Sequence, residues 1–176
     1  MSTGDPAEPP GPANLFAFLE AQGISPSRHA HPPVRTVEES LRLVPKLPGM
    51  KTKNLFLRDK KGRRHFLVTV PHDLGVDLGA LGPLLDAQRL GLASAERLLR
   101  HLGIMPGSVS LLALFNDRTH AVECVIDRRL WDADAVQAHP LVNSMTLVLD
   151  HADLQRFLDA TGHRARVIEV PERDTA

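Results

Sequence analysis

Apolar residues in the first third of the chain follow a helical spacing that polar caps and glycines interrupt. Asn14 precedes an apolar face, which predicts a helix capped by Asn14 and ended by Gly23. Thr36 and Glu39 form a capping-box pattern, which predicts a short helix reaching Val44. Between these helices, the prolines after His31 favour an extended edge strand.

From Met50 onward the spacing changes to apolar, partly β-branched runs separated by short polar loops. Residues 55–57 and 65–70 are predicted to pair as a β-hairpin through a turn at Lys61-Gly62. Residues 109–115 and 121–126 are predicted to form a second hairpin through the polar loop 116–118. The middle of the chain therefore indicates antiparallel strands.

The remaining segments add short helices and strands. Helices are predicted at 77–86, at 94–101 with Ser94 as cap and Gly103 as terminator, and at 152–160 before Gly162. Strands are predicted at 144–149 and 167–170, and residues 128–137 read as a helical turn or short helix. This order predicts a single mixed α/β (α+β) domain with a mixed, mainly antiparallel sheet and surrounding helices.

Length and composition limit the organisation of the chain. With 176 residues, one domain is expected, spanning 14–170 between a disordered Pro/Gly-rich leader at 1–13 and a flexible tail at 171–176. No apolar run approaches the roughly 20 residues of a membrane span, and no secretory signal pattern is present, so we expect a soluble, cytoplasmic protein. Cys124 is the only cysteine, which excludes an intrachain disulfide framework; in its strand pattern it reads as a small buried residue.

The net charge of zero conceals an uneven distribution of basic residues. Residues 28–64 contain 11 of the 21 Lys and Arg residues and only three acids, a local charge of +8. Such an excess can attract a polyanion, although solvated lysines at a hairpin tip give the same count.

Two segments place polar side chains where a loop meets a strand. Lys53 and Asn54 stand directly before the run 55–57, a position from which a rigid sheet can present side chains to a ligand. His139 precedes Pro140, which favours an extended backbone and a fixed imidazole that can donate to a substrate oxygen or orient water. Taken alone, these positions are explained more simply by a solvated lysine and a loop histidine.

A third segment, Pro106-Gly107-Ser108, offers backbone amides to a carbonyl or oxyanion, or is a plain connection between a helix and a strand. Ser108 and Ser110 have no nucleophile elbow around them. His29 and His31 share a strand face but lack a third ligand at a suitable spacing, so no metal is expected. The glycine-rich nucleotide motifs are absent, so no cofactor is expected.

Six stretches, in this order, resemble one family: HPPV at 31–34, TKNLFLRDKKG at 52–62, GIMPGSVSLLAL at 103–114, VIDRRLW at 125–131, HPLVN at 139–143 and DLQRFLDATGH at 153–163. The family is the YbaK/ProX superfamily of freestanding relatives of the prolyl-tRNA synthetase editing domain, and within it the Ala-tRNA(Pro) deacylases. The resemblance runs from about Asn14 to Val170 and implies a compact mixed α/β fold.

The resemblance implies hydrolysis of the ester that joins a wrongly attached alanine to the 3′ end of proline tRNA. It assigns catalysis to Lys53, Asn54 and His139, and substrate binding to His31 and to Pro106-Gly107-Ser108. It also implies that the tRNA 2′-hydroxyl helps to activate the water. An ester needs only a positioned water and a stabilised oxyanion, so neither a metal nor a covalent intermediate is required. We expect Lys53 to pair with a phosphate near the terminal adenosine, with Asn54 and His139 fixing the ribose and aminoacyl ends.

The expected partners are the acceptor end of proline tRNA and, as a second candidate, prolyl-tRNA synthetase. A synthetase pocket shaped for proline rejects the smaller alanine by only about 1–3 kcal/mol, so a second, smaller sieve is needed. Three alternatives remain: a deacylase for another mischarged tRNA such as Cys-tRNA(Pro), a non-catalytic module that binds tRNA or a synthetase, and a DNA-binding protein. The last has only the basic region in its favour, since no helix-turn-helix pattern is present.

Overall fold

The computed structural model describes residues 12–174 as one mixed α/β unit. Its six helices are α1 Pro12–Ala21, α2 Val37–Leu43, α3 Leu78–Leu84, α4 Ala95–Leu102, α5 Arg128–Trp131 and α6 His151–Thr161, with a 3₁₀ helix at Leu111–Asn116. Its eight strands are β1 Ser27–Ala30, β2 Thr52–Arg58, β3 His65–Pro71, β4 Gly91–Leu92, β5 Val122–Asp127, β6 Ala135–Ala138, β7 Met145–Asp150 and β8 Arg166–Ile168.

The larger sheet has five strands in the order β4-β2-β3-β5-β8. Strands β2 and β3 form the predicted antiparallel hairpin, whereas β3, β5 and β8 run parallel. Every residue of β3 is buried, because side chains of alternating direction enter apolar clusters on both faces. Phe66 and Val68 pack in the cluster that includes Leu81 and Leu85, while Leu67 packs in the cluster that includes Leu15 and Phe157.

The smaller sheet is antiparallel, in the order β1-β7-β6. It meets the larger sheet at the segment that leads into β2. There Met50 makes a bridge to Val136, with Met50 N donating to Ala135 O at 2.9 Å and Gln137 N donating to Met50 O at 2.9 Å. The beginning of β2 is therefore fixed to both sheets.

Several predicted helix ends are confirmed by their hydrogen bonds. The Thr36 hydroxyl accepts from Glu39 N at 3.1 Å and the Ser94 hydroxyl accepts from Arg97 N at 3.2 Å. Gly103 and Gly162 end α4 and α6 in the left-handed conformation, at φ 65° and 78°. These ends depend on local backbone chemistry, which explains why sequence patterns located them.

Four local predictions were wrong or incomplete. Residues 111–116 form a 3₁₀ helix instead of a strand, and β5 pairs in parallel with β3, so the second hairpin does not exist. Helix α1 begins at Pro12, so Asn14 lies within it. The short strands β4 and β6 were missed, and the strands form two sheets instead of one. For the strands, the deciding contacts are long-range, so local propensity could not identify them.

The predicted leader and the predicted tail lie only partly within the described residues. Residues 1–11 of the predicted leader and residues 175–176 of the predicted tail lie outside the described residues. Residues 171–173, however, are bound to the loop after β3: Asp77 N donates to Pro171 O at 2.9 Å and Arg173 N donates to Gly75 O at 2.7 Å.

Two further sequence predictions concern Cys124 and membrane spans. Cys124 lies in the core, where burial raises the pKa of its thiol to about 12. Over residues 12–174, no helix is both long and apolar enough to cross a membrane.

Candidate functional site

A cleft of about 230 Å³ opens where β2 begins. Three segments far apart in the sequence contribute to it: the start of β2 with Lys53 and Asn54, the loop around Gly107, and His139 at the end of β6. The remaining lining residues are Val34, Arg35, Thr36, Ser40, Lys51, Thr52, His72 and Val109. The cleft thus brings together all three residues that the resemblance assigns to catalysis.

The link between the two sheets explains why Lys53 and His139 meet. The Thr52 hydroxyl donates to Gln137 O at 2.6 Å, which joins β2 to β6 two residues before His139. Thr52, Lys53 and Asn54 all line the cleft. The wall of the cleft is therefore formed by three consecutive residues of β2, not by the alternate side chains of one strand face.

Lys53 is half-buried in the wall of this cleft. Partial burial lowers the pKa of its ammonium group; the charge of Arg173 lowers it further, and the carboxylate of Asp73 opposes both. Within residues 12–174, Lys53 makes no ion pair. A cation placed this way gains from an incoming anion, since the anion replaces lost hydration.

Asn54 is held in one orientation by the strand beside it. The hydroxyl of Thr69, its register partner on β3, donates to Asn54 Oδ1 at 2.7 Å. Asn54 Nδ2 makes a longer contact of 3.4 Å to Val109 O. With Oδ1 occupied as an acceptor and one Nδ2 hydrogen directed at Val109 O, the amide has one Nδ2 hydrogen left to donate to a ligand in the cleft.

The ring of His139 is held by a contact to one backbone carbonyl, which also defines its tautomer. Its Nδ1 lies 3.1 Å from Met145 O. A carbonyl oxygen can only accept, so Nδ1 carries the proton. Burial lowers the pKa of the imidazole, which favours the neutral ring and leaves Nε2 as a hydrogen-bond acceptor. A histidine that donates to a substrate oxygen or orients water was expected at this position, and the geometry favours a ring that accepts a hydrogen bond at Nε2.

Ser110 fixes the other side of His139. It is fully buried, and its hydroxyl donates to His139 O at 2.6 Å while accepting from Leu112 N at 3.2 Å. Burial and these bonds agree with the conclusion that Ser110 is not a nucleophile. Sequence reasoning missed its positioning role, as it missed that of Thr69. The turn at Lys61-Gly62 could have identified Thr69, because that hairpin register pairs it with Asn54.

The predicted substrate-binding residues separate into two groups. Gly107 lines the cleft at φ 93°, a conformation that favours glycine. Pro106 and Ser108 flank it but are not lining residues. His31 also lies outside the lining: its Nδ1 donates to Pro32 O at 2.9 Å and its Nε2 accepts from Thr146 Oγ1 at 2.8 Å. With both nitrogens occupied, His31 holds β1 against β7 and has no ring atom left for a substrate.

A smaller cavity of about 30 Å³ adjoins the cleft at Ser40, Lys51, Thr52 and His139. Gln137, Ala138 and Thr146 complete its lining. It has space for a group the size of one water molecule. Over residues 12–174, no group of three or more His, Cys, Asp or Glu side chains is placed to hold a metal.

Known proteins of similar sequence match most of this chain. Residues 31–157 match the family described as aminoacyl-tRNA editing domain. The chain is 45% identical over 151 residues to a prolyl-tRNA synthetase associated domain-containing protein 1 from Danio rerio, covering 85% of this chain and 82% of the relative. It is 39% identical over 156 residues to the prolyl-tRNA editing protein ProX of Acetoanaerobium sticklandii, covering 89% and 95%.

A solved crystal structure shares the fold. That structure is provisionally described as a trans-editing enzyme for prolyl tRNA synthetase. The superposition has a TM-score of 0.70 and covers 93% of this chain and 98% of the solved chain. At 22% sequence identity, this match carries information on the fold alone.

Proposed function

Since this chain belongs to the aminoacyl-tRNA editing domain family, we propose that it is a trans-editing hydrolase for mischarged tRNA, with Ala-tRNA(Pro) as substrate. The observation that carries the proposal is the convergence of Lys53, Asn54 and His139 on one cleft. An anion-binding cation, an amide donor and a neutral imidazole acceptor suit ester hydrolysis at a tRNA end, which needs a bound substrate, a positioned water and a stabilised oxyanion.

In this proposal, His139 and Asn54 act on the reacting end of the substrate. His139 Nε2 accepts a hydrogen bond from the ribose 2′-hydroxyl, whose oxygen orients the attacking water. Asn54 Nδ2 donates to the ester carbonyl oxygen, on which negative charge develops. Water oxygen bonds to the carbonyl carbon, the bond to the ribose 3′-oxygen breaks, and that oxygen takes the proton that the attacking water gives up. The products are free alanine and a tRNA with its 3′-hydroxyl restored.

Lys53 acts on the nucleic acid. Its ammonium group pairs with a phosphate near the terminal adenosine, which restores the stabilisation that burial removes. We expect Lys53→Ala to lower kcat/KM for Ala-tRNA(Pro) by at least about tenfold, since hydrogen bonds to charged groups contribute about 1.5–3 kcal/mol. Deacylation by Lys53→Ala at the wild-type rate would remove Lys53 from the site.

The dimensions of the site support selection of a small amino acid. The adjoining cavity of about 30 Å³ has the size of a methyl group, and it is too small for a proline ring. Such a sieve would hydrolyse Ala-tRNA(Pro) and spare Pro-tRNA(Pro), the discrimination that a synthetase pocket cannot make alone.

The experiment is a parallel deacylation assay with Ala-tRNA(Pro), Pro-tRNA(Pro), Ala-tRNA(Ala) and Cys-tRNA(Pro). We expect hydrolysis of the first and survival of the second; Ala-tRNA(Ala) reports tRNA selection separately from amino-acid selection. Preferential hydrolysis of Cys-tRNA(Pro) would reassign the substrate. Binding of tRNA without hydrolysis of any of the four esters would identify a non-catalytic module instead.

A further inference from the structure

The segment after β8 is bound to the loop that follows β3. Val170 is buried, and its backbone N donates to Asp127 Oδ2 at 2.9 Å. Beyond it, a bridge pairs Glu172 with Val76, and Arg173 N donates to Gly75 O at 2.7 Å. These bonds fix the backbone of Arg173.

The guanidinium of Arg173 lies over Gly75. Its Nε and Nη2 are both 3.4 Å from the position that a Cβ on Gly75 would occupy, so the group rests on the bare glycine backbone. Gly75 follows His72 by three residues; His72 lines the cleft, and its N donates to Lys51 O at 3.1 Å. The loop therefore carries the arginine toward the rim of the cleft.

Two cations consequently act on each other at this rim. After burial, the charge of Arg173 is the next largest cause of the lowered pKa of Lys53. Arg173 is exposed and makes no ion pair within residues 12–174. The repulsion between two cations on one rim is relieved by an anion placed between them, and a guanidinium suits a phosphate well.

We propose that Arg173, together with Lys53, forms a phosphodiester-binding subsite that holds the RNA backbone next to the terminal nucleotide. This inference rests on the proposed function, because the anion is the backbone of the tRNA 3′ end. It makes Arg173 a substrate-binding residue within a segment that the sequence analysis treated as a flexible tail. The exposed carboxylate of Asp73, which raises the pKa of Lys53, opposes the anion at the same rim.

The test compares a substrate that has the phosphate with one that lacks it. For Arg173→Gln we expect KM for Ala-tRNA(Pro) to rise about tenfold with kcat unchanged, the loss of one charged contact. Hydrolysis of 3′-O-alanyladenosine, which has no phosphodiester, should not change. The slope of log(kcat/KM) for the tRNA substrate against log salt concentration should become shallower by about 0.7.

Three further variants sharpen the test. Arg173→Lys keeps the charge and should recover part of the affinity, and Asp73→Asn should lower KM for the tRNA substrate. Arg118→Gln is the matched control, because Arg118 is exposed and lines a different surface depression with Phe18 and Ala160; it should leave both substrates unaffected.

Two outcomes for Arg173→Gln would overturn the subsite. One is an equal loss of kcat/KM with both substrates, and the other is no loss of kcat/KM with either. Failure of the proposed function gives a different result. If the wild-type protein hydrolyses neither ester, fluorescence anisotropy with labelled tRNA still reports the subsite, through weaker binding by Arg173→Gln than by Arg118→Gln. Equal binding by these two variants would reject it.

Discussion

The cleft with Lys53 and Asn54 lies at one end of the β2–β3 hairpin. The basic turn at Lys61-Gly62, beside His65, lies at the other end, about 20 Å away. Both ends are rich in basic residues, and both have a nearby histidine whose pKa is lowered by burial. A count of charges or of perturbed histidines does not distinguish them.

The contacts of the basic residues and of the histidines distinguish the two ends of the hairpin. At the turn, Arg64 makes a two-point ion pair with Glu123, at 2.8 and 2.9 Å, and Arg97 Nη1 donates to His65 Nε2 at 2.9 Å. The His65 ring also packs against Phe56 and His101, at centroid distances of 5.7 and 4.2 Å. At the cleft, His139 keeps Nε2 for a ligand. A perturbed histidine therefore indicates a site only when a ring nitrogen remains available in a cavity.

The sharpest test of this contrast is His139→Ala. Loss of the imidazole acceptor should lower kcat for deacylation of Ala-tRNA(Pro) by about 10²–10⁴-fold, the usual contribution of a positioned acid–base group. Thermal unfolding of the variant should show that the fold is retained. His29→Ala, at a half-buried position on β1 outside the cleft lining, is the control and should stay within about twofold of wild type. Near wild-type activity of His139→Ala would contradict the proposed role.

At the other end, His65→Ala should affect stability instead of catalysis. Removal of the buried, stacked ring should lower the free energy of unfolding by about 2 kcal/mol, measured by urea titration. The kcat of the folded protein should not change. A large fall in kcat with unchanged stability would reverse the contrast between the two histidines.

His65 should also make the stability of the protein depend on pH. Burial lowers the pKa of His65 from 6.5 to about 4, so between these values the unfolded chain binds more protons than the folded one. The contribution of His65 is therefore fully present above pH 6.5 and is lost as the pH falls toward 4. Urea titrations at pH 7 and pH 5 should show the loss, and it should be smaller in His65→Ala. An equal loss in both proteins would assign the effect to other groups.

A smaller effect is expected for Thr69→Val, which removes the hydroxyl that holds Asn54 Oδ1. An unsatisfied acceptor and a freely turning amide should lower kcat for Ala-tRNA(Pro) about tenfold, with little change in KM. Thr69→Ser keeps the hydroxyl and should recover most of the activity. If Ser and Val variants behave alike, Thr69 contributes only packing.

The smallest effect is expected for Lys61→Ala at the exposed turn. If only the cleft end binds phosphate, this variant should change kcat/KM for Ala-tRNA(Pro) by less than about twofold, as is usual for exposed surface positions. The slope of log(kcat/KM) against log salt concentration should also stay the same. A shallower slope, matching that of Lys53→Ala, would show that the whole hairpin contacts the tRNA.

Local patterns in the sequence predicted much of what positions the site. Thr36, Ser94, Gly103 and Gly162 mark helix ends because caps and left-handed glycines satisfy backbone groups only a few residues away. The turn at Lys61-Gly62 determines the register that places Thr69 opposite Asn54. The family motifs led to Lys53, Asn54 and His139 without any knowledge of their contacts.

The sequence by itself therefore determined the mixed α/β class, the first hairpin and the identity of the principal cleft residues. Only the tertiary structure decided which groups meet. The Thr52–Gln137 bond spans 85 positions of sequence and brings two sheets together, His31 is excluded from the cleft by its own partners, and the terminal segment places Arg173 near Lys53. Such pairings depend on the packing of distant segments, to which neither residue spacing nor local propensity is sensitive.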